Sequence, residues 1–143
     1  MLYARIDLSK TNYELYSDFR ILNVDPPIRR LQELYTRYCR YKKFKSVMPI
    51  FREEFTDPNT DIIGYYHNNK LAAFSLVKRY QHDSSVDAVQ FAWDYINPEL
   101  RLGIESLKSE CAWYKSQGFR YLYLGEAHEY KKEIDGFELL GPV

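Results

Sequence analysis

Val89-Gln90-Phe91-Ala92-Trp93-Asp94-Tyr95-Ile96-Asn97-Pro98-Glu99-Leu100-Arg101-Leu102-Gly103-Ile104, closed by Gly118-Phe119-Arg120-Tyr121-Leu122-Tyr123-Leu124-Gly125, decides the fold class. Val86 to Trp93 reads as a strand, and Asn97-Pro98 as a turn. Leu102, Leu107, Cys111 and Tyr114 fall among the apolar positions of a helix over about residues 99–117, and Gly118 is placed for its C-cap. Arg120 to Leu124 is a second strand. Such a unit leaves a helix N-terminus at the mouth of a sheet, where free backbone N–H groups favour a pyrophosphate or another anionic backbone.

Outward from that unit, residues 2–8 alternate as a strand, while residues 12–23 fit either a short helix or a strand and turn. Asp25-Pro26-Pro27 signals a helix start, Asp as cap and Pro in the first turn. The helix over 27–43 then aligns Ile28, Leu31, Leu34, Tyr35, Tyr38 and Tyr41 on one apolar face. A second short helix is expected near 49–55. Residues 62–66 and 71–77 form a hairpin through Asn68-Asn69, since Asn tolerates positive φ. A polar loop over 81–85 leads into the decisive strand. Residues 125–143 read as a charged tail with an apolar patch at 137–140. With no repeat, low-complexity tract or linker, the expectation is one domain over 1–143, α/β (α+β), on a mixed and mostly antiparallel sheet.

Composition narrows the function classes. The 143 residues are 45% hydrophobic and 28% charged with zero net charge, a globular balance that argues against a non-specific coat for nucleic acid. No apolar run approaches the roughly 20 residues of a membrane helix, and the first residues carry no basic region followed by an apolar one, so a cytoplasmic protein without membrane contact is expected. Cys39 and Cys111 have no CxxC spacing and read as buried apolar residues; His67, His82 and His128 show no ligand spacing, so no metal site is expected. Fourteen tyrosines and eight phenylalanines suit either a tyrosine-rich core and rim or, if the rings stand exposed on one face, a stacking platform for bases. Arg29, Arg30, Arg37, Arg40, Lys42, Lys43 and Lys45 gather against Glu33 alone, flanking the Tyr35, Tyr38, Tyr41 stripe. That segment is either a polyanion site or a solvated face paired with acidic neighbours.

A meander followed by strand–helix–strand resembles the GNAT acyltransferase fold, in which two central strands splay and the donor's pyrophosphate rests on the helix between them. At residue level the chain is similar to the carboxy-terminal domain of the arginyl- and leucyl-tRNA–protein transferases over roughly residues 31–140. The family's Leu-Tyr-x-x-Tyr core is matched by Leu34-Tyr35-Thr36-Arg37-Tyr38, and its G-K-L-I-A-V strand by Asn69-Lys70-Leu71-Ala72-Ala73-Phe74. Its F-Y-D-P-D-Y-x-x-x-S-L-G-x-x-S-x-L-x-E is matched over Trp93 to Glu110, and its Y-Y-L-G by Tyr121-Leu122-Tyr123-Leu124-Gly125. Glu129-Tyr130-Lys131 and Phe137-Glu138-Leu139-Leu140 match its final R-Y-K and S-E-L-L loosely. Residues 1–30 hold no counterpart of the family's cysteine-rich region. Glu126-Ala127-His128-Glu129 replaces its Cys-Pro-Lys-Met, and the acyl-CoA signature survives only as Arg101-Leu102-Gly103-Ile104.

The resemblance implies transfer of an aminoacyl unit from aminoacyl-tRNA, or of an acyl unit from acyl-CoA, onto an amine such as a protein N-terminus, with no tightly bound cofactor. Trp93, Arg101, Leu102 and Gly103 would hold the donor, the Trp93 amide polarising its carbonyl; the alternative for Arg101 and Gly103 is tight packing and a solvated arginine. Asp94 either orders the attacking amine or caps its own turn. Tyr123 either protonates the leaving group or packs, and Glu126 and His128 either face the cleft as acid–base groups or are loop. Arg37, Arg40, Lys42, Lys43, Tyr130 and Lys131 are the candidates for contact with tRNA. The reading from another class is a non-catalytic module of this fold that binds RNA or a protein.

Overall fold

The computed structural model describes residues 2–43, 55–126 and 129–142. In chain order it has β1 (Leu2–Asp7), β2 (Phe19–Ile21), α1 (Ile28–Lys42), β3 (Thr60–His67), β4 (Lys70–Tyr80), β5 (Ser85–Trp93), α2 (Leu102–Ser116), β6 (Tyr121–Glu126) and β7 (Phe137–Pro142). The strands form one sheet in the order β2-β3-β4-β5-β6-β1-β7. Every neighbouring pair is antiparallel except β5 and β6, as expected of a mixed, mostly antiparallel sheet.

Helices α1 and α2 cover opposite faces of the sheet. Leu31, Leu34, Tyr35 and Cys39 of α1 pack against Ile62, Phe74, Leu76 and Ala92. Leu102, Ile104, Leu107, Cys111 and Tyr114 of α2 pack against Ile6, Ile63, Tyr65, Val77, Val86 and Leu122 on the other face. Alternation along β3 and β4 therefore feeds two cores, which is why both strands read as continuous apolar runs. Asn68 and Asn69 take φ of 51° and 62° in the β3–β4 turn, the left-handed geometry foreseen for them. Both cysteines are buried and free.

Three local readings need correction. Asp25 does not cap α1: it takes φ 50°, and the N-cap is Pro27, with no side chain bonded to the helix end. The second helix starts at Leu102 rather than 99, because Pro98–Leu100 form a 3-10 turn and Arg101, at φ 50°, redirects the chain. The carboxy-terminal segment is not a tail, since Phe137–Pro142 adds β7 to the edge of β1. Of the undecided residues 12–23, Phe19–Ile21 pair with β3. The helix expected at 49–55 falls almost wholly outside the described residues.

Two glycines do what no other residue does as well. Gly118, at φ 91°, ends α2: its N–H donates to Lys115 O and that of Phe119 to Tyr114 O, the paired bonds of a Schellman cap. Gly136, at φ 78°, passes so close to β1 that an added Cβ would lie 2.4 Å from Asp7 O. Gly118→Ala meets open space and should cost about 1 kcal/mol of strain. Gly136→Ala adds a backbone clash to the same strain and should cost at least ~2 kcal/mol. Urea melts of the two variants check the order; equal losses would show that the β1 contact relaxes freely.

Candidate functional site

Strands β5 and β6 run side by side only at their start, Ser85, Val86 and Asp87 pairing with Tyr121, Leu122 and Tyr123. Beyond that point β5 stays on β4 as far as Trp93 and β6 stays on β1 as far as Glu126. The two strands therefore part, and a cleft of about 270 Å³ opens between them. Ala88 to Phe91 form one wall, Leu124 and Lys131 another, and Gly103, Ser106, Leu107 and Glu110 of α2 the third, with Tyr38 reaching in from α1. Asp94 N donates to Ala72 O, so the two-residue alternation of the ladder turns the Trp93 and Phe91 amides toward the gap. The Phe91 amide is met by Gln90 Oε1 at 3.3 Å.

Glu110 is the chemical centre of this cleft. It lines the cavity yet is only 3% exposed, and its Oε2 accepts from Ser75 Oγ at 2.9 Å and from the Tyr65 hydroxyl at 2.6 Å. Tyr65 Oη also lies 3.1 Å from Ser106 O, but its single proton serves the nearer, charged acceptor. Burial lifts the Glu110 carboxyl to about 7 against the two hydroxyls that stabilise its ionised form. A carboxyl poised there can accept and return a proton at neutral pH. The neighbouring Cys111 thiol is pushed far up, first by burial and then by Glu110, which removes it as a nucleophile.

Of the residues picked from sequence, Gly103 and Lys131 line the cleft, the Lys131 Nζ donating to Leu124 O at 3.3 Å. Leu102 is buried beneath them. Arg101 is not a wall of the cleft; its guanidinium is 63% exposed and meets Glu133 at 3.6 Å. Asp94 Oδ1 accepts from Ile96 N at 3.1 Å, closing its own turn, and its Oδ2 lies 3.8 Å from Arg37. Tyr123 sits on the opposite face of β6 from the buried Leu122 and Leu124, taking a bond from Arg5 at 3.3 Å. Arg40, Lys42 and Lys43 are exposed along α1. Glu126 pairs with Tyr3 through its backbone. Its side chain, that of Tyr130, and His128 lie outside what is described.

Glu110, Tyr65 and Ser75 were not singled out from sequence. The signal was there: Leu102, Ser106 and Glu110 recur every fourth residue, putting a carboxyl on the buried stripe of α2. A larger cavity, about 560 Å³, opens at the other end of α2 around Asp61, Arg79, Tyr114 and Gln117. Its carboxylate is already committed: Asp61 accepts from Tyr114 Oη at 2.7 Å and Asn23 Nδ2 at 3.0 Å, with Arg79 Nε at 3.3 Å. The cleft between β5 and β6 is the better candidate.

The family model described as arginine-tRNA-protein transferase, C terminus, matches residues 11–135. No curated protein matches the sequence. Among solved structures, a domain described as the C terminus of a lysylphosphatidylglycerol synthetase from Agrobacterium fabrum superposes with TM-score 0.69 at 12% identity, over 88% of this chain and 46% of its own. L-PGS from Bacillus licheniformis gives 0.66 at 16% identity, over 87% and 44%. A protein assigned to the GNAT acetyltransferase family, from Novosphingobium aromaticivorans, gives 0.62 at 12% identity, over 96% and 58%. The chain thus spans under half the length of the first two, and at these identities the likeness is one of fold, the GNAT-like fold expected from sequence.

Proposed function

The chain belongs to the family of the arginine-tRNA-protein transferase C terminus, and from that premise we propose that it moves an aminoacyl unit from aminoacyl-tRNA onto an amine such as a protein N-terminus. The observation that carries this reading is Glu110, a buried carboxyl poised near neutrality on the wall of a cleft between parted strands. The acceptor amine attacks the ester carbonyl, a C–N bond forms, and the C–O bond to the ribose breaks. Glu110 takes the proton the amine sheds and returns it to the leaving ribose oxygen, ending as it began. The Trp93 amide, turned toward the gap, is the donor for the charge that grows on the carbonyl oxygen. Holding amine and ester in attack geometry supplies several kcal/mol more, and no covalent intermediate on the protein is required.

The test is transfer of a labelled amino acid from aminoacyl-tRNA to a peptide amine, run beside acetyl-CoA as the rival donor. Transfer from aminoacyl-tRNA alone supports the reading. Transfer from acetyl-CoA alone, with coenzyme A raising the melting temperature, makes the protein an acyl-CoA transferase. Binding of tRNA with no transfer from either donor makes it a binding module of the same fold.

A further inference from the structure

The cleft is reached along a row of aromatic rings whose inner members, Phe91, Trp93 and Tyr38, pack on the cores and whose outer pair, Tyr41 and Tyr95, does not. Tyr41 of α1 and Tyr95 just past β5 stack face to face, their centroids 4.2 Å apart and their planes 9° from parallel. The aromatic pairs within the core meet edge-on instead, Tyr16–Tyr65 at 80° and Tyr114–Phe119 at 80°. The stacked pair is also at the surface, Tyr41 48% and Tyr95 38% exposed. Trp93 meets Tyr41 edge-on at 6.1 Å, and Tyr38 lies 6.5 Å from Trp93 and 6.4 Å from Phe91. Tyr38 and Phe91 are themselves cleft walls, so the row runs from solvent to the cavity of Glu110.

The charge beside this row is mostly positive, with Glu33 and Asp94 as its acidic members. Helical spacing sets Arg30, Arg37 and Tyr41 in line along α1, with Arg40 one step to the side, and Arg30, Arg37 and Arg40 share an open groove. Arg40 and Lys43 have no carboxylate partner among the described residues. The Arg37–Asp94 pair, 3.8 Å apart and partly exposed, is a weak one that a phosphate can replace. Parallel exposed rings offer their outer faces to a flat π system, and the row of arginines binds a polyanion; single-stranded nucleic acid supplies both at once, which an acidic peptide does not.

We infer that Tyr41 and Tyr95 seat the unpaired bases at the 3′ end of a tRNA, with α1 holding the phosphates behind them. The inference rests on the aminoacyl-tRNA reading of the donor and adds where that donor is gripped. Stacked there, the terminal nucleotide has its ester directed down the aromatic row toward Glu110.

Anisotropy titrations with bulk tRNA, tRNA trimmed of its unpaired 3′ nucleotides and a short single-stranded RNA, at two salt concentrations, test it. Tyr41→Ala and Tyr95→Ala should each weaken intact tRNA and the short RNA about tenfold or more, leaving trimmed tRNA and the salt slope unchanged. Tyr41→Phe and Tyr95→Phe, which keep the rings, should bind as the parent does. Equal losses on trimmed tRNA, or Ala variants that bind intact tRNA normally, overturn the inference. In the latter case loss of transfer in Glu110→Gln leaves the donor reading in place. A parent chain that binds none of the three RNAs sinks both.

Discussion

Glu110→Gln is expected to lower transfer at least about 100-fold while the protein stays folded and grows more stable above neutral pH. The amide keeps an oxygen for Tyr65 and Ser75, so the hydrogen bonds at 2.6 and 2.9 Å survive, but it cannot hold the proton of the attacking amine. The stability effect has a definite sign. Free in the unfolded chain, Glu110 ionises near 4.5; in the fold it holds its proton to about 7. Below the lower value both states are protonated and pH has no effect through this group. Between the two values the folded state binds a proton that the unfolded state has lost, so this contribution to stability falls as pH rises. Above about 7 the fold carries the whole penalty of a buried carboxylate, on the order of 3 kcal/mol. Urea melts from pH 4.5 to 8 should therefore show Gln gaining on Glu as pH rises. Parallel curves would mean that the carboxyl titrates normally, and undiminished transfer in the variant would end its role as proton acceptor.

The largest loss of stability should come from Asp61→Ala. Asp61 is 6% exposed and ties three elements together: α2 through Tyr114 at 2.7 Å, the stretch after β2 through Asn23 at 3.0 Å, and β4 through Arg79 at 3.3 Å. Asn23 in turn receives Ile62 N at 2.7 Å, so the knot also fastens β3. Removing the carboxylate strands the wholly buried Tyr114 hydroxyl and leaves the partly buried Arg79 guanidinium with Pro58 O but no counter-charge. About 3–4 kcal/mol is expected, a large part of the stability of a protein this size. A double-mutant cycle identifies the cause: Tyr114→Phe should be far less costly in the Asp61→Ala background than in the parent. Additive losses would assign the effect to packing instead.

The strand–helix–strand unit, the hairpin and the mixed sheet were legible because each rests on local period or turn chemistry. Asn68-Asn69 announced a turn, and Gly118 a helix end. What the periodicity could not show was the strand at 137–142, whose pattern is short and whose partner, β1, lies at the far end of the sequence. The start of α2 was misplaced for a local reason, the left-handed Arg101, which no residue type signals as glycine does. The cleft was legible as a place and less so as chemistry. Gly103 and Lys131 were found, but its carboxyl hides on the apolar stripe of α2, among residues that read as core. Resemblance drew attention instead to Asp94 after β5 and Arg101 before α2, where Asp94 accepts from its own turn and Arg101 meets Glu133 at the surface.

The position of β1 has a consequence for how the molecule comes into being. Tyr3 of β1 pairs with Glu126 on one side and Gly141 on the other. During synthesis β1 thus waits for the distant β6 and β7 before its neighbours exist, while the β3–β4 hairpin joins strands adjacent in sequence. Contacts so distant along the chain slow the final zippering and place it last. The cleft depends on that step, because β1 carries the outer edge of β6 while only three residue pairs join β6 to β5. A nascent chain can own its first hairpin early, but it acquires a binding site only when β1 has met β6 and β7.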